Sequence, residues 1–130
     1  MRDRLFLDAN VLFSAAYRQN SGLRRLWQLN EVDLLASGYA VEEARRNLDA
    51  GKNSELELLL KKVEIAAAVP SAAPPPAVDL PEKDRPILAG AIHAKATHLI
   101  TGDITHFGPY FGSKIGGVLI ITPAGYLKSK

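Results

Sequence analysis

The sequence predicts an α/β fold with a mostly parallel sheet, and three observations support this. Short segments are too uniformly apolar to be alternating surface strands, and they recur along the whole chain. Segments in which apolar residues repeat at helical spacing lie between them. Strands that alternate with helices in this order favour a parallel sheet covered on both faces. We expect a three-layer α/β/α arrangement with four to five strands.

The first half of the chain contains two predicted strands, 4–7 and 32–36. Asp8 or Asn10 is suited to cap a helix running to Tyr17. Further helices are expected from residue 23, from Ser37 to about Ala50 with Gly51 as its stop, and over 54–62. Strand and helix therefore alternate.

The second half of the chain is predicted to contain strands at 63–67, 99–101 and 118–122, and helices at 86–96 and 123–128. Pro86 falls in the first turn of its helix, where proline is tolerated. The proline- and alanine-rich stretch 69–76 is expected to be a surface loop. The segments on either side of it are each too small to fold alone, so we expect one domain over 1–130.

Composition narrows the classes of function. The chain is 47% hydrophobic and 23% charged, as in ordinary globular proteins, and it has no cysteine, which excludes thiolate catalysis and cysteine metal sites. The net charge of +2 is compatible with nucleic acid binding but does not demonstrate it. The N-terminus resembles a signal peptide, but Asp8 and Asn10 interrupt its apolar stretch. We expect a soluble cytoplasmic protein with no membrane partner.

Four carboxylates indicate the chemistry: Asp8, Glu43, Asp84 and Asp103. Each is expected at a strand end or on the helix that follows a strand, and such positions meet at one edge of a parallel sheet. Acids gathered there repel one another and need a cation to stay ionised. The sequence thus predicts a divalent-metal site that cleaves phosphodiester bonds.

Each acid also has a structural interpretation. Asp8 could be only a helix cap, although its apolar surroundings favour a function. Helical periodicity barely separates Glu43 from Glu42. Asp84 shares a predicted helical face with apolar residues, yet it could simply cap that helix. Asp103 follows Gly102 in a turn, where aspartate is common.

Four segments in this order resemble the PIN-domain ribonucleases, the family of bacterial VapC-type toxins. They are 5–12 (LFLDANVL), 41–48 around Glu43, 84–91 (DRPILAGA) and 99–103 (LITGD). The resemblance implies a PIN-like fold in which Asp8, Glu43, Asp84 and Asp103 bind metal. It adds Asn10 and Thr101 as supporting groups.

The resemblance also implies a Mg²⁺- or Mn²⁺-dependent endoribonuclease, the toxin of a toxin–antitoxin pair. RNA, an antitoxin protein and a second copy in a homodimer are then the expected partners. Many members carry another acid just after the Thr-Gly-Asp motif, whereas Thr105 and His106 follow it here.

Other residues carry weaker signals. Arg45 and Arg46 lie on the helix of Glu43 and are candidates for binding the RNA backbone. Trp27, Tyr110 and Phe111 could stack on bases but are better explained as core or interface residues. The three histidines, His93, His98 and His106, show no metal-ligand spacing and are expected to be structural, with His106 nearest to the site.

Two alternative functions lack a residue that they require, and a third remains open. A haloacid-dehalogenase-like phosphatase needs a second aspartate where Asn10 stands. A receiver domain needs a phospho-acceptor aspartate after the third strand, and Ala66 to Ala68 occupy that place. A catalytically silent PIN-like module that binds RNA or protein is compatible with the fold, although all four acids are present.

Overall fold

The structure, a computed structural model, describes residues 2–69 and 78–130, so most of the predicted proline-rich loop lies outside the described residues. The strands are β1 (Asp3–Leu7), β2 (Val32–Ser37), β3 (Val63–Ala66), β4 (His98–Ile100), β5 (Lys114–Ile115) and β6 (Val118–Ile121). The α-helices are α1 (Ala9–Tyr17), α2 (Gly38–Asn47), α3 (Ala50–Leu60), α4 (Arg85–His93), α5 (Ile104–Phe107) and α6 (Pro123–Lys128). Short 3₁₀ helices span Gly22–Gln28 and Gly108–Tyr110.

The strands form one sheet in the order β3-β2-β1-β4-β6-β5. The first five strands in this order pair in parallel, and β5 pairs antiparallel with β6. The predicted α/β class and mostly parallel sheet are confirmed, with one strand more than expected. This strand, β5, is joined to β6 by Gly116 and Gly117, whose φ angles are 58° and 85°. Two central residues with positive φ are the geometry that closes a tight hairpin.

The centre of the sheet is buried on both faces. Leu5, Phe6 and Leu7 are consecutive in β1 and have no exposed surface, which requires layers on both sides of the strand. On α4, a Cβ added at Gly90 would lie 3.0 Å from the tip of the Phe6 ring. This helix therefore packs closely against β1, and glycine permits the approach.

The order of the strands determines where a site can form. From β1 the chain moves outward through β2 to β3, then returns to the other side of β1 as β4. Right-handed crossovers in opposite directions place their helices on opposite faces of the sheet, which gives the expected three layers. The carboxyl ends of β1 and β4 flank the point where the order reverses, which is where open α/β sheets bind ligands. None of the helices in the described residues is both long and apolar enough to cross a bilayer.

Several predicted helix boundaries were wrong. The helix from Ser37 ends at Asn47 rather than near Ala50, and Gly51 lies in the first turn of α3. Asp49 causes this break, because its side chain accepts a hydrogen bond from Lys52 N at 2.9 Å and caps α3. The helix predicted over 86–96 ends at His93, and Lys95 follows with a left-handed φ of 58°.

The helix predicted from residue 23 is a 3₁₀ helix (Gly22–Gln28). Ser21 caps it by accepting a hydrogen bond from Leu23 N. Trp27 is buried and donates from Nε1 to the carbonyl oxygen of Leu59 at 3.0 Å, so it belongs to the core.

Candidate metal centre

Asp8 follows directly on β1 and is only 4% exposed. Its Oδ1 accepts a hydrogen bond from Ala9 N at 2.7 Å, so the residue does cap α1. Its Oδ2 accepts from Thr101 Oγ1 at 2.8 Å and from Asn10 Nδ2 at 3.2 Å. Asp8 can therefore cap α1 and also belong to a site. Its Oδ1 bonds to the helix, and its Oδ2 faces Thr101, just after β4, and Asn10 in α1.

Thr101 and Asn10 tie the ends of β1 and β4 together. The hydroxyl of Thr101 donates to Asp8 and accepts from Asp103 N at 3.1 Å. The side-chain oxygen of Asn10 accepts from Gly102 N at 3.0 Å. These bonds set the position of the Asp8 carboxylate relative to the turn that carries Asp103.

The electrostatics at Asp8 are unfavourable for a buried anion. Burial raises the pKa of Asp8 above its ordinary value, and the nearby negative charges of Asp84 and Glu43 raise it further. The hydrogen bonds from Thr101 and Ala9 oppose this shift without cancelling it. The site therefore gathers negative charge that its own hydrogen bonds do not fully compensate.

Asp84 stands at the cap position of α4 but makes no capping hydrogen bond with its side chain. It is 6% exposed, and Ile87, Leu88 and Ala91 on the same face are buried, as predicted. Its Oδ1 lies 3.8 Å from Nζ of Lys83. Capping thus does not explain why this carboxylate is buried.

Asp103 caps the short helix α5 through Oδ1, which accepts from His106 N at 3.1 Å. Nδ1 of the His106 ring lies 2.9 Å from Oδ2 of Asp103 and 2.9 Å from Oδ2 of Asp84. The direction of the ring N–H fits a hydrogen bond to Asp103 only. Within residues 2–69 and 78–130, Asp84 Oδ2 is therefore buried without a hydrogen-bond partner, although it lies close to Nδ1.

The structure separates Glu43 from Glu42. Glu43 lines the cavity with the other acids, whereas Glu42 is exposed and pairs with Arg45 at 2.8 Å. Arg45 also holds Glu57 at 2.8 Å, so two carboxylates already occupy its guanidinium. Arg46 is exposed on the same helix. RNA binding by these two arginines stays a prediction, and the ion pairs of Arg45 weigh against it.

All four predicted acids line one open cavity of about 590 Å³. Its wall also includes Asn10, Gly102 and Lys83, together with Val11, Ser14, Leu23, Thr122, Pro123 and Ala124. The folding of four separate segments thus brings Asp8, Glu43, Asp84 and Asp103 to one place at the carboxyl edge of the sheet.

The sequence interpretation missed His106 as part of this site. An available signal was its spacing of three residues from Asp103, which places the two side chains one turn apart on a helix. Tyr110, by contrast, is structural, because its hydroxyl exchanges hydrogen bonds with the backbone of Asp79. Phe111 is partly buried against the core.

The residues present fit a divalent cation. Oxygen-rich donor sets suit Mg²⁺ and Mn²⁺, and the buried, unpartnered Asp84 Oδ2 is an atom that a cation would satisfy. One ligand atom each from Asp84, Asp103 and His106 lies within 4.8 Å of the other two. Asp8, at the end of β1, and Glu43, on α2, line the same cavity.

Comparisons with known proteins agree with this fold. The chain matches the family model of the PIN domain over residues 4–105, which include all four acids. It also resembles a chain in the crystal structure of VapBC2 from Rickettsia felis bound to a DNA fragment from their promoter. That match has a TM-score of 0.66 and 15% identity, and it covers 92% of this chain and 98% of the other. A comparison with curated proteins gave no significant match. The predicted relationship is confirmed, and the chain belongs to the PIN domain family.

Proposed function

We propose that this protein is a divalent-metal-dependent endoribonuclease that hydrolyses RNA phosphodiester bonds. One observation carries the proposal: four carboxylates from four separate segments line a single cavity, at the edge where such sheets bind ligands. Acids that serve only as caps or surface charges have no reason to converge in this way. Membership in the PIN domain family supports the same activity.

In this proposal Asp8, Glu43, Asp84 and Asp103 hold Mg²⁺ or Mn²⁺. A bound cation supplies a more acidic water for attack on phosphorus and stabilises charge on the phosphate oxygens. Thr101 and Asn10 position the carboxylate of Asp8 through the bonds to its Oδ2. The open cavity leaves room for a strand of RNA to reach the acids.

The resemblance to a VapBC2 chain supports a second part of the proposal, that the protein is the toxin of a toxin–antitoxin pair. An antitoxin protein and a homodimer are then the proposed partners. A small gene beside this one, whose product co-purifies with the protein and suppresses RNA cleavage, is the expected finding.

The activity is tested with a fluorescent single-stranded RNA. We expect cleavage that stops with EDTA and returns with excess Mn²⁺ or Mg²⁺, because the acids need a cation to act. Cleavage that persists unchanged in the chelator would contradict the mechanism. RNA binding without cleavage at any metal concentration would instead support the silent PIN-like module.

A further inference from the structure

We propose that His106 is itself a metal ligand in this chain, and that it gives the site a preference for transition-metal ions such as Mn²⁺ over Mg²⁺. The inference deepens the proposed function, since it rests on the same metal centre. His106 lies one residue beyond the 4–105 range of the family match, so that match assigns it no role.

The geometry around Nδ1 of His106 carries the inference. This nitrogen lies 2.9 Å from Oδ2 of Asp84 and 2.9 Å from Oδ2 of Asp103. The two carboxylates come from different elements, the start of α4 and the start of α5. Three potential ligand atoms, one from each residue, therefore lie within 4.8 Å of one another.

Asp84 provides the second, independent observation. It is 94% buried, because its exposed fraction is 6%, and its Oδ2 makes no hydrogen bond to the part of the chain that the structure describes. When both carboxylates are ionised they only accept, and their contacts with Nδ1 then fit a ring proton on this nitrogen. One proton serves one acceptor well, and here it serves Asp103. A cation in place of that proton satisfies both carboxylates and the nitrogen together.

The local backbone holds His106 in this position. Asp103 accepts from His106 N with one oxygen and faces the ring with the other. The ring is thus oriented by the same residue that would share the ion. A ligand held in place before binding loses little freedom when the metal arrives.

The nitrogen changes which ions the site prefers. Mg²⁺ binds through oxygen ligands and retains its waters, whereas imidazole nitrogen is a ligand for first-row transition ions, among which Mn²⁺ binds most weakly. Imidazole is also neutral, so it attracts a hard cation less than a further carboxylate would. The site should therefore bind Mn²⁺ more tightly than Mg²⁺, and His106 should account for that difference.

Two measurements on the full chain without RNA test this. The first is the affinity for Mn²⁺ and for Mg²⁺, by calorimetry, in the parent, His106→Gln and His106→Asp proteins. The second is the electron spin echo modulation of bound Mn²⁺, which reports a directly coordinated nitrogen. His93→Gln is the matched control, since His93 is exposed on α4 and does not belong to the group formed by Asp84, Asp103 and His106 among the described residues.

We expect a nitrogen signal in the parent and in His93→Gln but not in His106→Gln. We also expect His106→Gln to weaken Mn²⁺ binding by about 10- to 100-fold, and His106→Asp to reduce the preference for Mn²⁺ over Mg²⁺. Unchanged affinities and no nitrogen signal in the parent would overturn the inference. Tighter binding of both ions in His106→Gln would also overturn it, because His106 would then be a competitor for the site.

The two proposals fail separately. Metal binding with a nitrogen signal but without RNA cleavage would contradict the proposed function alone. Metal-dependent cleavage with no nitrogen signal would contradict only the role of His106.

Discussion

Strand β1 has an aspartate at each end, and the surroundings of the two shift their pKa values in opposite directions. Asp3, at the amino end, accepts hydrogen bonds from Tyr126 Oη at 2.6 Å and from Lys130 Nζ at 3.1 Å. The hydrogen bond from Tyr126 is the main reason that the pKa of Asp3 lies below its ordinary value. The hydrogen bond and the positive charge of Lys130 lower this pKa further. Asp8, at the carboxyl end, is buried beside Asp84 and Glu43, and its pKa is raised.

The difference separates a structural acid from the acid that we propose to be functional. Asp3 has a cation and a hydroxyl that stabilise its charge and tie α6 to the sheet. Asp8 is surrounded by further acids, and its hydrogen bonds do not offset burial and repulsion. Such uncompensated charge is typical of sites that await a ligand of opposite charge.

The largest expected effect is the loss of RNA cleavage when Asp8, but not Asp3, is replaced by asparagine. Asp8→Asn should lower RNA cleavage by at least about a hundredfold, because a proposed metal ligand is lost. Its free energy of unfolding should stay within about 1 kcal/mol of the parent, since relief of the buried charge offsets the lost acceptor. Cleavage rates and urea unfolding measure the two effects.

Asp3→Asn is the matched control at the other end of the same strand. It should cleave RNA at the parental rate but lose about 1 kcal/mol of stability, because a charge-assisted hydrogen bond becomes neutral. If Asp8→Asn cleaved as fast as the parent while Asp3→Asn lost activity, the comparison between the two ends would be wrong.

A second, smaller effect is expected from Thr101→Val, which removes one hydroxyl at the functional end. Asp8 Oδ2 then loses the shorter of the two hydrogen bonds that it accepts from side chains, and Asp103 N loses an acceptor. We expect cleavage to fall about 10- to 100-fold and stability to fall by about 1–3 kcal/mol. Thr101→Ser keeps the hydroxyl, so it should retain most of the activity. Equal loss in both variants would show that the methyl group, rather than the hydroxyl, matters.

The smallest effect is the pH dependence of stability in the metal-free protein. Because the folded pKa of Asp3 is lowered, its stabilising contribution is present above the ordinary pKa of aspartate and is lost as the pH falls through the folded value. The folded pKa of Asp8 is raised instead, so the ionisation of Asp8 lowers the stability of the fold as the pH rises through that folded pKa.

Urea unfolding in EDTA at a series of pH values tests these signs. The deficit of Asp3→Asn relative to the parent should shrink in acid. The stability of Asp8→Asn relative to the parent should grow as the pH rises from the carboxyl range. The reverse trend for either variant would contradict the assigned cause of its pKa shift.

Much of the fold was predictable because its signals are local. The apolar run before Asp8, the cap at Ser37 and the face shared by Asp84 and Ile87 all follow from neighbouring residues. The boundary between α2 and α3 was predicted a few residues too late, since Asp49 begins α3 and Gly51 lies inside that helix rather than ending the one before. The Gly116-Gly117 hairpin carried a recognisable turn signal that the sequence interpretation did not use.

The sequence by itself determined that Asp8, Asp84 and Asp103 follow strands or begin helices and that Glu43 lies on the helix after a strand, because burial and capping depend on patterns over a few residues. Only the tertiary structure decided that Glu43 rather than Glu42 reaches the cavity, and that Arg45 is held by Glu42 and Glu57. It also placed His106 between Asp84 and Asp103. Those outcomes depend on how α2, α3, α4 and α5 pack around the sheet, and distances between such elements are set by the whole fold.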